Sequence, residues 1–534
     1  LLAAIGGGSL IRAEAGADGG RIGWGLITLF WRIDKLWGML LLLVLWFFFS
    51  MTGLGIWALL ERWLLKLAGE APPPQVATQL EIPVEAKVEE KAEHPTRKKS
   101  PATALPPEFR KSLRVADQKD KKPAAPRDRD DRLPSLNALL ADQNARPDER
   151  TINQTAGMIE KTLAEFGVAA TVIGFRVGPT VTQFAVQPGF MKKAGATEED
   201  TQQMKVRVAQ IASLQKDLTL ALSAERLRIE APVPGKPYVG IEVPNSHTSV
   251  VRMRAILETD AFHKIGTPLA MALGRDVSGQ PLTADLARMP HLLIAGATGS
   301  GKSVCITALA ACFAMNNPPE DLRMVMIDSK MVELLRFNGL PHLYGKVETN
   351  VERILGVLRW VVVEMEHRYR LLEGARARDL ETYNRRLSKK KDGAPLPRIV
   401  VLIDELADLM MSAPDQTEHN LVRLAQMARA TGIHLIVATQ RPSTDVVTGL
   451  IKANFPARLA FAVASGVDSR VILDTTGAEN LLGRGDMLFL NPESGSPIRA
   501  QGVMITDMEI ERIIAHWKKN ADDADVTSPW EKLL

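Results

Sequence analysis

The stretch from His291 to Ser303, HLLIAGATGSGKS, decides the fold. Its first five residues form a short apolar run that is typical of a buried β-strand, and the apolar residues after it, as far as Met315, predict a helix. Between them, Gly296–Ser303 has the spacing Gly-x-x-x-x-Gly-Lys-Ser of a phosphate-binding loop. The alternative is a glycine-rich turn, which the flanking strand and helix disfavour. We therefore expect an α/β nucleotide-binding fold.

The chemistry of this loop predicts ATP and Mg²⁺ as its ligands. The glycines let backbone N–H groups surround the β-phosphate, and the following helix adds the positive end of its dipole. Lys302 can then bridge the β- and γ-phosphates, and the Ser303 hydroxyl can bind Mg²⁺. The predicted nucleotide-binding residues are Gly296, Ala297, Thr298, Gly299, Ser300, Gly301, Lys302, Ser303 and Val304.

A second apolar run, Ile399–Ile403, ends in the two carboxylates Asp404 and Glu405. Alone it would be an ordinary strand end, but beside a phosphate-binding loop it indicates a hydrolytic site. Asp404 can hold Mg²⁺ through water, and Glu405 can orient and deprotonate the attacking water. The expected reaction is hydrolysis and not phosphoryl transfer to another substrate.

A third element is a predicted helix over 423–431, capped by Gly432, followed by the apolar strand 434–438. Gln440 follows that strand, where a polar side chain faces the crevice in which such sheets bind ligands. It is therefore a candidate sensor of the γ-phosphate, and a local turn contact is the alternative. Cys305 and Cys312 lie seven apart on the helix after the loop, a spacing that indicates packing rather than redox chemistry.

Composition limits the remaining possibilities. Apolar residues make up 46% and charged residues 24%, which excludes a wholly disordered or collagen-like chain. Two cysteines are too few for a disulfide scaffold or a four-cysteine zinc site, so a reducing compartment suits the main body. The net charge is only +4, from 66 basic and 62 acidic residues, so any site for a polyanion must be local.

The N-terminal part predicts a membrane anchor. Residues 36–60 form a run of 25 residues without a charge, long enough to cross a hydrocarbon core of about 30 Å. A buried helix and a signal peptide are the alternatives. Arg62 and Lys66 follow the run and predict a cytoplasmic C-terminal side. Because the chain starts at Leu1, we interpret it as a fragment, and residues 1–10 are either the end of an earlier span or a loop.

The predicted domains are a membrane region (1–70), a linker (71–132), a small α/β subdomain (133–248), a larger unit with the phosphate-binding loop (249–520) and a tail (521–534). The stretch 71–150 holds 12 of the 32 prolines and a single aromatic residue, so most of it cannot bury a core. From about Ser249, strands alternate with helices, which predicts a parallel, doubly wound sheet with helices on both faces.

Four segments together resemble the FtsK/SpoIIIE family of membrane-anchored bacterial DNA translocases: GATGSGKS (296–303), VVLIDELADLMM (400–411), RLAQMARATGIHLIVATQRPSTDVVTGLIKANFPARLAF (423–461) and DSRVILDTTGAENLLGRGDML (468–488). MIDSKMVEL (326–334) and PGKPYVGIEVPN (234–245) extend the similarity, which covers about 400 residues from near Leu133 to near Trp530. The resemblance implies a RecA-like motor preceded by an α subdomain.

The same resemblance implies a function. It suggests a homo-hexameric ring that threads double-stranded DNA and moves along it by ATP hydrolysis, clearing chromosomal DNA at division or sporulation. It assigns Lys302 and Ser303 to nucleotide and Mg²⁺, Asp404 and Glu405 to metal binding and catalysis, and Gln440 to the sensor. The implied location is the bacterial cytoplasmic membrane, multi-pass in the full-length protein, with division proteins as partners of the N-terminal region.

A ring motor also needs a positive charge from the next subunit at the γ-phosphate. Arg458 and Arg470 are the candidates, in that order of preference, and either is alternatively an ordinary salt-bridged arginine. The chain departs from the family pattern at Ser329, where we expect a proline. It also shows one secure span where relatives have several, and it stops before the winged-helix γ domain that relatives often carry.

Two other functional classes remain open. One is a membrane-bound secretion or conjugation ATPase of the same superfamily, against which the segment TQRPS at 439–443 argues. The other is a non-catalytic division scaffold, which the presence of Lys302, Asp404 and Glu405 disfavours.

Overall fold

The computed structural model describes residues 129–142, 149–192, 203–390, 394–519 and 528–533. The predicted span over 36–60 and the predicted linker as far as residue 128 lie outside these ranges. Within them, no helix is both long enough and apolar enough to cross a bilayer. The described residues form a smaller and a larger β-sheet unit, each with its own hydrophobic core.

The smaller unit comprises α1 (Glu149–Glu165), β1 (Ala170–Val177), β2 (Val181–Pro188), β3 (Phe190–Lys192), β4 (Gln203–Lys205), α2 (Val208–Ser213), α3 (Gln215–Ala221), β5 (Arg228–Glu230) and β6 (Val239–Pro244). Its four-stranded sheet is antiparallel, in the order β1-β2-β6-β5. Strands β1 and β2 form a hairpin whose turn contains Gly178. Helix α1 buries Ile159 and Leu163 completely against this sheet.

The larger unit contains β7 (Ala270–Asp276), β8 (Pro281–Asp285), β9 (His291–Ala295), β10 (Leu322–Ile327), β11 (Arg398–Ile403), β12 (Ile433–Thr439), β13 (Ala457–Phe461), β14 (Asp486–Leu490) and β15 (Ile498–Gly502). Its helices are α4 (Met253–Leu257), α5 (Asp260–Ile265), α6 (Lys302–Asn316), α7 (Val351–Gly374), α8 (Leu380–Lys390), α9 (Leu406–Ser412), α10 (Pro414–Met427), α11 (Gly449–Asn454), α12 (Gly466–Leu473) and α13 (Asp507–Lys519).

The nine strands of the larger sheet follow the order β10-β11-β12-β9-β13-β14-β15-β7-β8. The strands from β10 to β13 are parallel, whereas β14, β15, β7 and β8 pair antiparallel. The expectation of an entirely parallel sheet is therefore wrong. Two connections, 277–280 and 491–497, are too short for the crossover that parallel strands need, which explains the antiparallel pairs β7–β8 and β14–β15.

Successive side chains of the parallel strands enter two different cores. In β12, Ile436 and Ala438 pack with α6 and α13 on one face, and Leu435 and Val437 pack with α7, α9 and α10 on the other. Both faces of the parallel part are thus covered by helices, which explains why its strands are apolar throughout. The carboxyl ends of β9, β11 and β12 lie at one edge, where ligands bind in sheets of this kind.

The C-terminal segment packs onto the larger unit, although the sequence predicts only a tail there. Trp530 lies in the short 3-10 helix Pro529–Leu533 and is fully buried, with its ring centroid 5.5 Å from that of Trp360. Its Nε1–H donates to Glu348 Oε1 at 2.8 Å. Beside it, Glu531 accepts from Arg353 at 2.6 Å. The segment is anchored by one aromatic side chain and a polar rim.

We expect Trp530→Ala to lower the free energy of unfolding by about 3–5 kcal/mol, because a buried indole is removed and a cavity is left beside Trp360. Urea titration followed by tryptophan fluorescence measures this change. Trp530→Phe, which keeps most of the packing but loses the hydrogen bond to Glu348, is the matched variant and should cost clearly less. Equal losses in the two variants would show that packing is not the main contribution.

A buried ionic contact joins the two sheets. Arg499 of β15 donates from Nη1 to Glu242 Oε2 of β6 at 2.7 Å and from Nη2 to Asp486 Oδ2 of β14 at 2.6 Å. Arg228 of β5 donates to the other oxygen of Glu242 at 3.1 Å. The side chains of Arg499, Glu242 and Asp486 are at most 3% exposed. The interface between the sheets therefore depends on charges that water does not screen.

Candidate active site

The predicted phosphate-binding loop connects β9 to α6. Its start is fixed between two neighbouring strands, because the N–H of Gly296 donates to Thr439 O at 3.3 Å and that of Ala297 to Ala462 O at 2.9 Å. Gly301 caps α6 with a φ of 113°, in the region that favours glycine. The loop therefore directs its backbone N–H groups and the N-terminus of α6 at the carboxyl edge of the sheet.

A second loop, Gly483–Gly485, lies against the phosphate-binding loop, and the sequence did not predict it. The N–H of Gly485 donates to Ser300 O at 2.7 Å. A Cβ on Gly301 would lie 2.5 Å from the nitrogen of Gly485, so no larger residue fits at position 301 without movement. Asp486, which follows, is the residue that Arg499 holds. The phosphate-binding loop is thus supported from the antiparallel part of the sheet.

Lys302 and Asp404 form a buried ion pair at the edge of the sheet. The ammonium of Lys302 donates to Asp404 Oδ1 at 2.7 Å and to the Asp404 carbonyl oxygen at 2.9 Å. The two side chains are 2% and 1% exposed, so each neutralises a charge that would otherwise be buried alone. A bound nucleotide would give Lys302 phosphate oxygens as new acceptors and free the carboxylate of Asp404.

The residues around Asp404 fit a Mg²⁺ ion. Asp404 Oδ2 is buried and has no hydrogen-bond partner among the described residues. Ser303 is half-buried on the first turn of α6, and Val304, next to it, is 39% exposed. A carboxylate oxygen and a hydroxyl are the ligands that Mg²⁺ takes beside a bound triphosphate. The chemistry of the predicted pair, Ser303 and Asp404, thus matches that ion.

Glu405 is enclosed by donors. Its Oε1 accepts from Thr439 Oγ1 at 2.7 Å and from the N–H of Gln440 at 3.1 Å, and its Oε2 accepts from Lys330 Nζ at 2.7 Å. Burial raises the pKa of Glu405, but the hydrogen bonds from Lys330, Thr439 and Gln440 outweigh it and hold that pKa below its usual value. Glu405 is therefore a carboxylate, as a base must be.

Gln440 lies beside the phosphate-binding loop. Its Oε1 accepts a hydrogen bond from Thr298 Oγ1 at 3.1 Å, and its N–H contacts both oxygens of Glu405. The side chain and the backbone of one residue thus join the two halves of the site. Through these two contacts, Gln440 is placed to link a phosphate bound at the loop to the carboxylate of Glu405.

The two candidate arginines differ in availability. The guanidinium of Arg458 donates to the carbonyl oxygens of Phe455, Ile472 and Lys452 and to the carboxylate of Asp474. Arg470 lies on α12, is exposed, and makes no side-chain hydrogen bond or ion pair with the described residues. Only Arg470 is available to another subunit without breaking contacts of its own chain.

Three further residues lie at this edge without a role predicted from the sequence: Ser329, Lys330 and Thr439. Ser329 Oγ donates to Asp408 Oδ2 at 2.7 Å, a bond that the expected proline would lack. Thr439 precedes Gln440 at the end of an apolar strand, so its position was a usable signal. Lys330 follows β10, the strand beside β11, but nothing in its local sequence points to Glu405.

The two cysteines are part of the core. Cys305 and Cys312 are buried in α6 and are free thiols. Burial raises the pKa of Cys305 to about 12 and that of Cys312 to about 11, so neither is a thiolate at neutral pH. Both positions are explained by packing.

Comparison with known proteins gives two family matches. Residues 252–444 match the FtsK/SpoIIIE family, and residues 133–245 match the FtsK alpha domain. The boundary between the matches lies between β6 and α4, which is where the smaller unit ends and the larger one begins.

Among curated proteins, the chain is 48% identical over 369 residues to the DNA translocase SftA of Bacillus subtilis, covering 69% of this chain and 37% of that protein. It is 46% identical over 396 residues to the DNA translocase SpoIIIE of the same organism, covering 73% and 48%. It is 48% identical over 367 residues to the DNA translocase FtsK of Caldanaerobacter subterraneus, covering 69% and 49%. The chain therefore spans half or less of the length of these relatives.

Among solved structures, the pCW3 conjugation coupling protein TcpA, determined with ATPγS, aligns with a TM-score of 0.46 at 23% identity. The alignment covers 68% of this chain and 99% of TcpA.

Proposed function

The chain belongs to the FtsK/SpoIIIE family, and we propose on that basis that it is an ATP hydrolase that moves double-stranded DNA. The relatives it matches are named DNA translocases. The observation that carries the proposal is the meeting of Lys302, Asp404, Glu405 and Gln440 at one edge of the parallel sheet. In the nucleotide-free chain Lys302 is paired with Asp404, and Glu405 accepts from the N–H of Gln440, so these four residues are in direct contact before ATP binds.

The geometry supports a sequence of events in the chain's own residues. Lys302 exchanges the carboxylate of Asp404 for the β- and γ-phosphates of ATP. Ser303 and Asp404 would hold Mg²⁺, which would shield the charge that develops as the γ-phosphoryl group leaves. Glu405 orients a water molecule and takes its proton. Gln440 contacts both Thr298 of the phosphate-binding loop and Glu405, so a movement of Gln440 when the γ-phosphate leaves would shift the proposed base.

A neighbouring subunit completes the site in this proposal. A positive charge from another protomer at the γ-phosphate makes hydrolysis depend on assembly, which suits a ring motor. Arg458 was the first candidate from sequence, but its guanidinium is held by four acceptors of its own chain. The exposed Arg470 is therefore the better candidate. A homo-hexamer is the assembly we propose.

The wider setting rests on sequence. The apolar run 36–60 supports anchoring in the bacterial cytoplasmic membrane, with the ATPase unit on the cytoplasmic side. We propose chromosomal DNA as the cargo, moved during division or sporulation.

The decisive test is the ATPase rate of the purified chain with and without long double-stranded DNA at fixed salt. Salt must be fixed because binding to phosphates weakens steeply as ionic strength rises. We expect duplex DNA to raise kcat several-fold and Lys302→Ala to abolish hydrolysis in both conditions. Hydrolysis that does not respond to DNA would instead favour a secretion or conjugation ATPase, and an inactive wild-type chain would favour a scaffold.

The Lys302→Ala control needs its own check. Removing the ammonium leaves the buried carboxylate of Asp404 without its partner, which destabilises a fold as well as removing a phosphate ligand. Its thermal midpoint must therefore be measured beside the wild type. Arg512→Ala, at an exposed arginine of α13, serves as the matched loss of one positive charge.

A further inference from the structure

The oxygens of Glu405 have no free position for a water molecule. A carboxylate offers about four lone-pair directions. Oε1 accepts from Thr439 Oγ1, from the N–H of Gln440 and, at 3.3 Å, from the N–H of Ala407. Oε2 accepts from Lys330 and, at 3.2 Å, from the N–H of Gln440. The side chain is 2% exposed. In the nucleotide-free chain, the proposed base is therefore occupied.

Of these donors, Lys330 is the one that can leave. The N–H groups of Gln440 and Ala407 are backbone, and Thr439 Oγ1 is buried at the end of β12. The side chain of Lys330 is 35% exposed, and its flexible four-carbon stem ends in an ammonium with three N–H donors, so water can replace Glu405 as its partner. Lys330 is therefore the donor that lies partly in solvent and can be withdrawn while the backbone and the buried hydroxyl of Thr439 stay in place.

The backbone next to Lys330 is held in place. Ser329 donates to Asp408, one turn into α9, and Asp328 Oδ2 accepts from the N–H groups of Val332, Glu333 and Leu334. Asp328 is fully buried. The segment therefore presents the lysine to Glu405 from a fixed position, and the side chain moves without the loop.

We propose that Lys330 is a positioning residue that holds Glu405 in a hydrolysis-incompetent arrangement, and that a bound triphosphate weakens this contact without abolishing it in the idle chain. The proposal rests on the proposed function, because it concerns the base of that reaction. The release of Lys330 parallels that of Lys302. Both ammonium groups donate to carboxylates at this edge of the sheet, and a bound triphosphate brings new acceptors to the same edge. Its consequence is a low rate of idle hydrolysis, which restricts ATP turnover to the assembled, loaded site.

The first test is kinetic and compares Lys330→Met with Lys330→Arg, which keeps a charged donor. If the contact must break before Glu405 accepts a proton, its free energy adds to the barrier of the idle chain. We expect Lys330→Met to raise the DNA-free kcat by about tenfold, the factor for ~1.4 kcal/mol, and to lower KM for ATP several-fold, because the contact that the nucleotide must weaken is then absent. Lys330→Arg should stay near the wild type. Lys264→Met, at an exposed lysine of α5, controls for loss of one charge.

Two kinetic results would overturn the inference. One is an unchanged DNA-free kcat in Lys330→Met, and the other is a similar fall of kcat with and without DNA, which would make Lys330 part of the active arrangement. Both leave the proposed ATPase function intact, because the wild type hydrolyses ATP in each case. A wild type without any hydrolysis contradicts the proposed function instead.

The second test does not depend on hydrolysis. Lysine acetylation by acetic anhydride, followed by mass spectrometry, reports how free the Lys330 amine is in the wild-type chain. We expect Lys330 to react several-fold faster with the non-hydrolysable analogue AMP-PNP and Mg²⁺ present than without nucleotide, and Lys264 to react equally in both. A Lys330 rate that AMP-PNP leaves unchanged or lowers would refute release on nucleotide binding.

Discussion

Glu405→Gln is expected to lower kcat for ATP hydrolysis by about 10²- to 10⁴-fold, because an amide cannot take the proton of the attacking water. The substitution preserves the shape of the side chain. Its remaining carbonyl oxygen can still accept from Thr439 and from the N–H of Ala407, which Glu405 caps at the start of α9. Folding and nucleotide affinity should therefore change little, and the effect should be confined to the chemical step.

Three measurements separate these effects: the ATPase rate, the Kd of a fluorescent ATP analogue and the thermal midpoint. Glu366→Gln, at an exposed glutamate of α7 paired with Arg423, is the matched control and should leave all three unchanged. Turnover by Glu405→Gln within a few-fold of the wild type would remove Glu405 from the role of base. Loss of analogue binding would instead give it a structural role at the nucleotide site.

The meeting of Asp404, Glu405 and Gln440 at one edge of the sheet could be predicted from sequence, because these residues follow apolar strands of obvious length. Five apolar residues precede Asp404, and the next such strand along the chain precedes Gln440. Strands of this kind are buried on both faces and run parallel, so their carboxyl ends meet at one edge. The contact between Gln440 and Glu405 follows from that geometry alone.

The donors that hold Glu405 could not be predicted in the same way. Lys330 lies in an irregular segment after β10, and its approach to Glu405 depends on the pairing of β10 with β11, which lies more than 70 residues further along the chain. Gly485 and Ser300 are brought together by a still longer separation. No local periodicity records such contacts, because they are set by the packing of whole elements.

The antiparallel part of the sheet could have been predicted, because the sequence contains a turn signal there. The connection 491–497 reads NPESGSP, whose asparagine, glycine and prolines are typical of a tight turn between neighbouring strands. The general alternation of strands with helices outweighed that local pattern in our interpretation. The buried Trp530 had no comparable signal, since a single aromatic residue near the end of a chain does not show where it packs.

Arg499→Met is expected to lower the free energy of unfolding by about 3–5 kcal/mol at neutral pH, because it leaves buried carboxylates without their partner. Asp486 would keep a hydrogen bond from the N–H of Leu482 at 2.8 Å, and Glu242 would keep Arg228. Arg228→Met should cost less, because Glu242 would retain the shorter bond from Arg499 and the Arg228 side chain is 15% exposed. Urea titrations of both variants, with the exposed Arg512→Met as control, measure the difference.

The same variant has a predicted pH signature. Burial alone would raise the pKa of Glu242, but Arg228 and Arg499 lower it below its usual value. Glu242 therefore contributes stability above its unfolded pKa of about 4.3, and that contribution is lost as the pH falls through the lower, folded pKa. Without Arg499 only Arg228 still opposes the effect of burial, so the pKa of Glu242 rises and the variant has less of this stability to lose. The gap in stability between wild type and Arg499→Met should narrow as the pH falls from about 5 towards about 3. A gap that stays constant over this range would show that the arginine acts through packing and not through its charge.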